Sequence, residues 1–315
     1  MYFIKLILFL ALLSISIIAP YYAYLSYIPS YDEKYIEITR GESIHQVVSK
    51  FSSHSKINKI FIKVLLLSED ISSFKVGEYS IKNKTIKEII SIMSKGDTVT
   101  YKFKIQEGST IFDIEKQINS SNLINDCSYL KCLESAFPYT EGILYPDTYF
   151  YKKNMRASEI LNKSYQRMNE FIKSLPRNNN SSLSKNELLI LASIIEKEAG
   201  NDDEKNEIAG VFLNRISINM KLQADPTIIY GLLPNFDGDI KKSDILSTQN
   251  KYNTYMIKGL PPSPIAISSR SSILAAFTAT PSDYLFFVAD SKNSHYFSKT
   301  YEEHLNKIKE LGLDR

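Results

Sequence analysis

Ser184-Lys-Asn-Glu-Leu-Leu-Ile-Leu-Ala-Ser-Ile-Ile-Glu-Lys-Glu-Ala-Gly200 sets the architecture of the C-terminal half of this chain. Ser184 with Glu187 three places on is the reciprocal pair of a capping box. Leu188, Leu191, Ala192, Ile195 and Ala199 then recur at helical spacing, so the run reads as a helix with one core face, closed by Gly200. It carries two acids, Glu196 and Glu198. At ~100° per residue they fall on opposite edges of the apolar stripe, with Lys197 facing solvent between them. An acid at such an edge loses hydration, which raises its pKa and suits it to donate a proton. Periodicity alone does not choose between the two. The edge of Glu198 adjoins Leu191, Ile194 and Ile195, whereas that of Glu196 adjoins Leu189, Ala192 and Ser193, which makes Glu198 the less hydrated acid. Taken alone, a Glu-x-Glu at a helix end is more often a pair of surface charges.

Downstream, Asn201 or Asp202 caps a further helix carrying Ile208, Val211, Phe212 and Ile216. Asp283-Tyr-Leu-Phe-Phe-Val-Ala-Asp290 reads as a buried strand, and Ser294-His-Tyr-Phe-Ser298 as its hairpin partner. Upstream, residues 177–184 lack any apolar period and read as a loop. An internal repeat lies before it: Ile38-Thr-Arg-Gly-Glu-Ser-Ile-His-Gln-Val-Val returns as Ile105-Gln-Glu-Gly-Ser-Thr-Ile-Phe-Asp-Ile-Glu. Each copy is a short strand, a turn at Gly41 or Gly108, a cap at Ser43 or Thr110, and a helix. Between the copies, residues 76–81 read as a strand, and Ile86, Ile89, Ile90 and Met93 as a helix face ending at Gly96. From Asp32 to about Phe137 the chain is therefore mixed α/β.

Residues Leu6 to Ile28 are nearly all apolar or aromatic and uncharged, long enough for the ~20 residues that cross a bilayer as a helix. Lys5 precedes the run, and Tyr21, Tyr22, Tyr24 and Tyr27 crowd its far end, an arrangement that places the N-terminus in the cytoplasm and the rest outside. A cleaved signal peptide is the rival reading, but Pro20 after Ala19 spoils the best small-x-small cleavage site. With 315 residues, 43% hydrophobic, the chain is globular and has room for two domains, and a net charge of +3 with dispersed Lys and Arg argues against nucleic acid. Cys127 and Cys132 are the only cysteines. Outside the cytoplasm a bridge between them is allowed, though positions five apart on one helix diverge, so it needs an intervening turn. His45, His54, His295 and His304 form no metal-ligand spacing and read as surface or packing residues, so neither metal nor cofactor is expected.

Several motifs together resemble the YceG-like family of endolytic murein transglycosylases. They are Glu141-Gly-Ile-Leu-Tyr-Pro-Asp-Thr-Tyr149, Leu191 to Gly200, Ala209-Gly-Val-Phe-Leu-Asn-Arg215, Met220-Lys-Leu-Gln-Ala-Asp-Pro-Thr-Ile-Ile-Tyr-Gly231, Tyr252-Asn-Thr-Tyr255, Gly259-Leu-Pro-Pro262 and Tyr284 to Asp290, in the family's order. The resemblance implies an α+β chain: a transmembrane anchor over 1–28, a LysM-like α/β region over 29–137, and a lysozyme-like, mainly helical catalytic domain with a short β element over 138–315. Residue by residue it puts the catalytic acid on Glu198, with Ala199 in place of the hydroxyl residue that follows the acid in goose-type relatives. Gln223, Asp225 and Thr227 read as a loop supplying hydrogen bonds, and Tyr252, Asn253, Thr254 and Tyr255 as a glycan groove, against the plainer reading of turn and packing roles. Asn214 and Arg215 read as a structural polar network, and Glu141 and Asp147 as turn or cap residues.

The chemistry implied is cleavage of the bond between N-acetylmuramic acid and N-acetylglucosamine within nascent peptidoglycan strands. One glutamic acid first donates to the bond oxygen, then accepts from the muramic C6 hydroxyl as it closes to a 1,6-anhydro end. Ordinary glycosidases instead need two carboxylates. The family further implies peptidoglycan synthases as partners. A non-catalytic, membrane-anchored peptidoglycan-binding scaffold and a hydrolytic muramidase are the alternatives.

Overall fold

The structure, a computed structural model, describes residues 2–30, 34–52, 55–176, 182–291 and 294–313. Asp32, His54 and residues 177–181 of the expected loop lie outside them, as do the side chains of Leu6, Leu8, Phe9, Leu10 and Leu13 in the apolar N-terminal run. The chain forms two compact units, residues 1–101 with 150–154, and residues 102–149 with 155–315.

The first unit opens with helix α1 (Tyr2–Leu25), which contains Pro20. Among the described residues no helix is both long and apolar enough to cross a membrane. A β-α-α-β element follows: β1 (Tyr35–Ile38), α2 (Ile44–Ser49), α3 (Lys56–Ser68) and β2 (Gly77–Ser80), then α4 (Ile86–Lys95). β1 and β2 pair antiparallel, Tyr35 opposite Ser80 and Ile38 opposite Gly77. Ile36, Ile38, Val47, Phe51, Ile62, Leu65, Tyr79, Ile89 and Met93 make one core, each fully buried aliphatic contributing roughly 1.5–3 kcal/mol. The anticipated α4 ends on Gly96 in the left-handed region, φ 78°.

After α4 the chain runs β3 (Tyr101–Ile105), α5 (Ile111–Asn119), β4 (Asp147–Tyr151), α6 (Ala157–Ser174), α7 (Lys185–Glu198), α8 (Lys205–Ser217), α9 (Asp225–Leu232), α10 (Lys242–Ile245), α11 (Arg270–Thr278), β5 (Phe286–Ala289), β6 (His295–Ser298) and α12 (Tyr301–Glu310), with all the helices from α5 on in the second unit. Both copies of the repeat fold as read: Gly41 and Gly108 take positive φ, and Ser43 and Thr110 cap α2 and α5 in capping boxes with Gln46 and Asp113. β5 and β6 form the expected antiparallel hairpin, Phe286 opposite Ser298. Cys127 and Cys132 are bridged, with a Cα–Cα distance of 4.9 Å. The required turn is there: a 3-10 segment over Ser128–Leu130, with Tyr129 and Leu130 at positive φ, brings the two positions back together.

Helix α7 differs from its reading in one respect. Its capping box is present, but Leu188 to Ile195 are all buried, so the helix has no single core face. It is the central rod of the second unit, enclosed by α8, α9 and α11, as expected of a helix apolar all round. Gly210 shows how close its neighbours come: a Cβ there would lie 2.9 Å from the Thr280 carbonyl oxygen. Because α7 is enclosed, the two acids at its end are placed by what packs against them rather than by one stripe.

Candidate active site

Glu198 is the last residue of α7, and Ala199 turns extended behind it, its amide donating to the Ile195 carbonyl at 2.9 Å. Ala199, rather than Gly200, therefore ends the helix. The Glu198 carboxyl accepts no hydrogen bond from any described residue and faces a cleft of about 420 Å³. Burial, reinforced by the charge of Asp225, pushes it up to about 7, against an opposing pull from Arg215. The negative end of the α7 dipole acts in the same direction. An acid so placed is substantially protonated near neutrality yet ionisable, which is what donation followed by acceptance requires.

The cleft brings Glu198 together with Arg215, Gln223, Asp225 and Tyr255 on one side and with Phe286, Phe287, Val288, Ala289, His295, Tyr301 and His304 on the other. The Tyr255 hydroxyl donates to Asp225 at 2.7 Å, which fixes the carboxylate near Glu198 and, with burial, pushes the Tyr255 phenol upward. Gln223 sits at φ 52°, its amide donating to the Thr254 carbonyl at 3.2 Å; this sharp turn carries the chain into α9.

Thr227, Thr254, Asn253 and Tyr252 do not line the cleft. Thr227 and Thr254 are fully buried with their hydroxyls 2.9 Å apart; Thr254 Oγ1 accepts from the Ala224 amide at 2.9 Å, and Thr227 donates to the Ala224 carbonyl at 2.6 Å. The pair clasps the loop bearing Gln223 and Asp225 against the one bearing Tyr255. Asn253 donates from Nδ2 to the carbonyls of Asp244, Ile245 and Ser247 and accepts the Tyr255 amide at 3.0 Å. Tyr252 packs on Tyr230 at 4.8 Å between ring centroids, its hydroxyl 2.8 Å from Ser263 Oγ. These four shape the site without touching its space, because buried hydroxyls and amides are spent on one another.

Glu196 is committed elsewhere. Its Oε2 accepts from the Ser269 amide at 3.0 Å and from the hydroxyls of Ser269 and Ser272 at 2.5 Å, with Lys205 at 3.5 Å, so it anchors the start of α11. Glu141 has the expected capping role: its carboxylate accepts from the Ile111 amide, the first of α5, and from Gly142, both at 2.9 Å. Burial pushes it up to about 7 in spite of those donors. Arg215 is the structural network residue anticipated, donating to the carbonyls of Leu285 and Leu222, but it is also a wall of the cleft. Burial lowers it to about 10. The hairpin residues Phe286 to Ala289 and His295, with Tyr301 and His304, were not legible as site residues: the strand read as buried is only half-buried, with Ala289 exposed, and its sequence carries no sign of what faces it. The His295 Nδ1 lies 2.9 Å from Glu204 Oε2.

One desolvated, unpartnered carboxyl at a helix end, over a cleft walled by rings, an amide and a fixed aspartate, defines the equipment of an acid–base enzyme. The sequence model of the YceG-like family matches residues 36–310. An endolytic murein transglycosylase of Bacillus subtilis (strain 168) is 31% identical over 306 residues, covering 87% of this chain and 83% of that protein. An endolytic murein transglycosylase of Streptococcus pneumoniae (serotype 2, strain D39) is 31% identical over 175 residues, covering 54% of this chain and 32% of the relative. A crystal structure of a yceG-like protein from Listeria monocytogenes superposes with a TM-score of 0.54 at 27% identity, covering 86% of this chain and 97% of that one. The chain belongs to the YceG-like family.

Proposed function

We propose that this protein is an endolytic peptidoglycan lytic transglycosylase that cleaves the bond from N-acetylmuramic acid to N-acetylglucosamine within nascent strands, leaving 1,6-anhydro ends. The observation that carries the reading is Glu198: a carboxyl raised to about 7, without a hydrogen-bond partner among the described residues, facing a cleft of about 420 Å³. Two relatives named for this activity support it. Protonated Glu198 donates to the departing oxygen while positive charge builds at the muramic anomeric carbon, where the Asp225 carboxylate is in electrostatic range of the acid. The resulting carboxylate takes the proton of the C6 hydroxyl as that oxygen bonds to the anomeric carbon, so one acid serves both steps without water. Gln223 and Tyr255 offer hydrogen bonds to the sugar, and Thr227, Tyr252, Asn253 and Thr254 hold those groups in place.

Asp225 gives one rival its footing, since a second carboxylate in the cleft is what a hydrolytic muramidase uses. Mass spectrometry of digests of isolated sacculi separates the two: transglycosylation yields anhydro ends, and hydrolysis gives ends heavier by one water. Absence of any release by the parent would leave only the binding-scaffold reading, whereas unchanged release by Glu198→Gln would refute Glu198 as the acid.

The functional parts follow the motifs rather than the packing units: an anchor over 1–28, a LysM-like region over 29–137 and a lysozyme-like catalytic part over 138–315. The β-α-α-β order of β1, α2, α3 and β2 supports the LysM-like assignment, and the acid-tipped α7 among α8 and α11 the lysozyme-like one. The anchor is α1, with 24 helical residues and outward Ile4, Leu12, Ile15 and Ile17. It would hold the enzyme on the outer face of the cytoplasmic membrane, beside peptidoglycan synthases.

A further inference from the structure

Helix α3 has two apolar faces. Ile62 and Leu65 enter the core of the first unit, 3% exposed. Ile57, Ile60, Val64 and Leu67 point out of it, with 60%, 59%, 47% and 73% of their surface in the open. Their spacing of three, four and three residues puts all four on one stripe, whereas outward positions on a soluble domain are normally polar. Lys56, Lys59 and Lys63 run along one edge of that stripe, all exposed and without an ion pair among the described residues. α3 contains no acidic residue. An apolar stripe edged by unpaired lysines is the pattern of a helix lying in the plane of an anionic membrane surface.

The neighbour of α3 supplies the depth. Phe61 packs edge-on against Tyr21 with ring centroids 5.6 Å apart and lies 6.0 Å from Tyr24, both near the end of α1. Tyrosines at the end of a membrane span sit at the headgroup level. A helix stacked on them through its middle residue lies at that same level.

We propose that α3 is an interfacial helix: Ile57, Ile60, Val64 and Leu67 enter the outer leaflet of the membrane, and Lys56, Lys59 and Lys63 pair with anionic phospholipid headgroups. The inference rests on the reading of α1 as an anchor and adds a second, in-plane contact. A single span leaves a domain free to swivel, whereas a second helix seated in the headgroup layer fixes the first unit's orientation on the membrane. The chemistry of the contact selects a phospholipid surface bearing net negative charge, such as phosphatidylglycerol.

The chain has no tryptophan, so one introduced ring reports alone. The full chain carrying Leu67→Trp or Ile60→Trp is reconstituted into phosphatidylcholine vesicles with and without phosphatidylglycerol, using lipids brominated along the acyl chain as quenchers. Leu246→Trp, at an exposed apolar position of the second unit, is the reference. Emission from both α3 probes should fall about twofold more than the reference, as for rings ~5–10 Å below the headgroups, and more with phosphatidylglycerol than without. Changing Lys56, Lys59 and Lys63 together to Gln should remove that dependence on anionic lipid. Flotation after alkaline carbonate reads the anchor separately. Flotation with unquenched α3 probes overturns the proposal and keeps the anchor; quenching without flotation does the reverse. Emission that shifts to the blue with protein concentration but is not quenched by bromine would overturn it in favour of a second copy of the chain covering the stripe.

Discussion

Replacing Glu198 by Gln should remove activity and stabilise the protein in a pH-dependent way. The carboxyl stands at about 7 in the fold, against ~4.3 for an unfolded Glu. With the folded value raised, both states bind the proton below pH ~4 and nothing is lost; as pH rises from there through about 7 the unfolded chain ionises first, and stability falls. The full difference corresponds to about 3–4 kcal/mol above pH ~8. Since Glu198 is partly open to the cleft, solvent screening reduces this to ~1–2 kcal/mol. Gln does not titrate, so the variant should match the parent at pH ~4 and melt about 2–8 °C higher at pH ~8. Over the same range, release of anhydro-muropeptides should drop ~10²–10⁴-fold, the usual contribution of a positioned acid–base group. Calorimetry at the two pH values and a timed sacculus digest are the assays. A melting difference that is the same at both pH values would refute the claim that burial raises this acid, and activity within ~10-fold of the parent would refute its catalytic role.

The parent's kcat/KM should decline above pH ~7 as the acid loses its proton, a limb absent from the residual activity of Glu198→Gln. Thr254→Val removes the hydroxyl that receives the Ala224 amide; leaving that buried donor unpaired should cost about 1–3 kcal/mol in denaturant unfolding and raise KM by loosening the Gln223 and Asp225 loop. Tyr255→Phe leaves Asp225 without its 2.7 Å donor and should lower kcat at nearly unchanged stability, measured by single-turnover digestion and melting. Glu141→Ala uncovers the first amide of α5 and should destabilise by ~1–3 kcal/mol, with faster hydrogen exchange at Ile111.

Local chemistry made much of this protein legible in its sequence. The helix caps at Ser43 and Thr110, the capping box at Ser184, the glycine turns at 41, 96 and 108, and the hairpin of residues 286–298 are each set by neighbours in the chain, so spacing and residue type foretell them. The resemblance singled out Glu198, while Gln223, Asp225 and Tyr255 were read as cleft groups against an equal reading of turn and packing roles, and all four line one cleft. Periodicity did not separate Glu196 from Glu198, and the resemblance made the choice; the physical reason came only with the fold, where Ser269, Ser272 and Lys205 meet Glu196 and commit it.

The sequence by itself determined several helix caps and glycine turns, and which residue types carry proton chemistry, because those depend on contacts within a few residues. Only the tertiary structure decided that Thr227, Asn253 and Thr254 are spent on the scaffold while Arg215 and the β5 strand wall the cleft. Burial and hydrogen-bond pairing are settled by segments far apart in the chain, such as Ala224 meeting Thr254 and Glu196 meeting Ser272. A residue's chemistry is legible from its type; whether that chemistry is available depends on which partner folding brings to it.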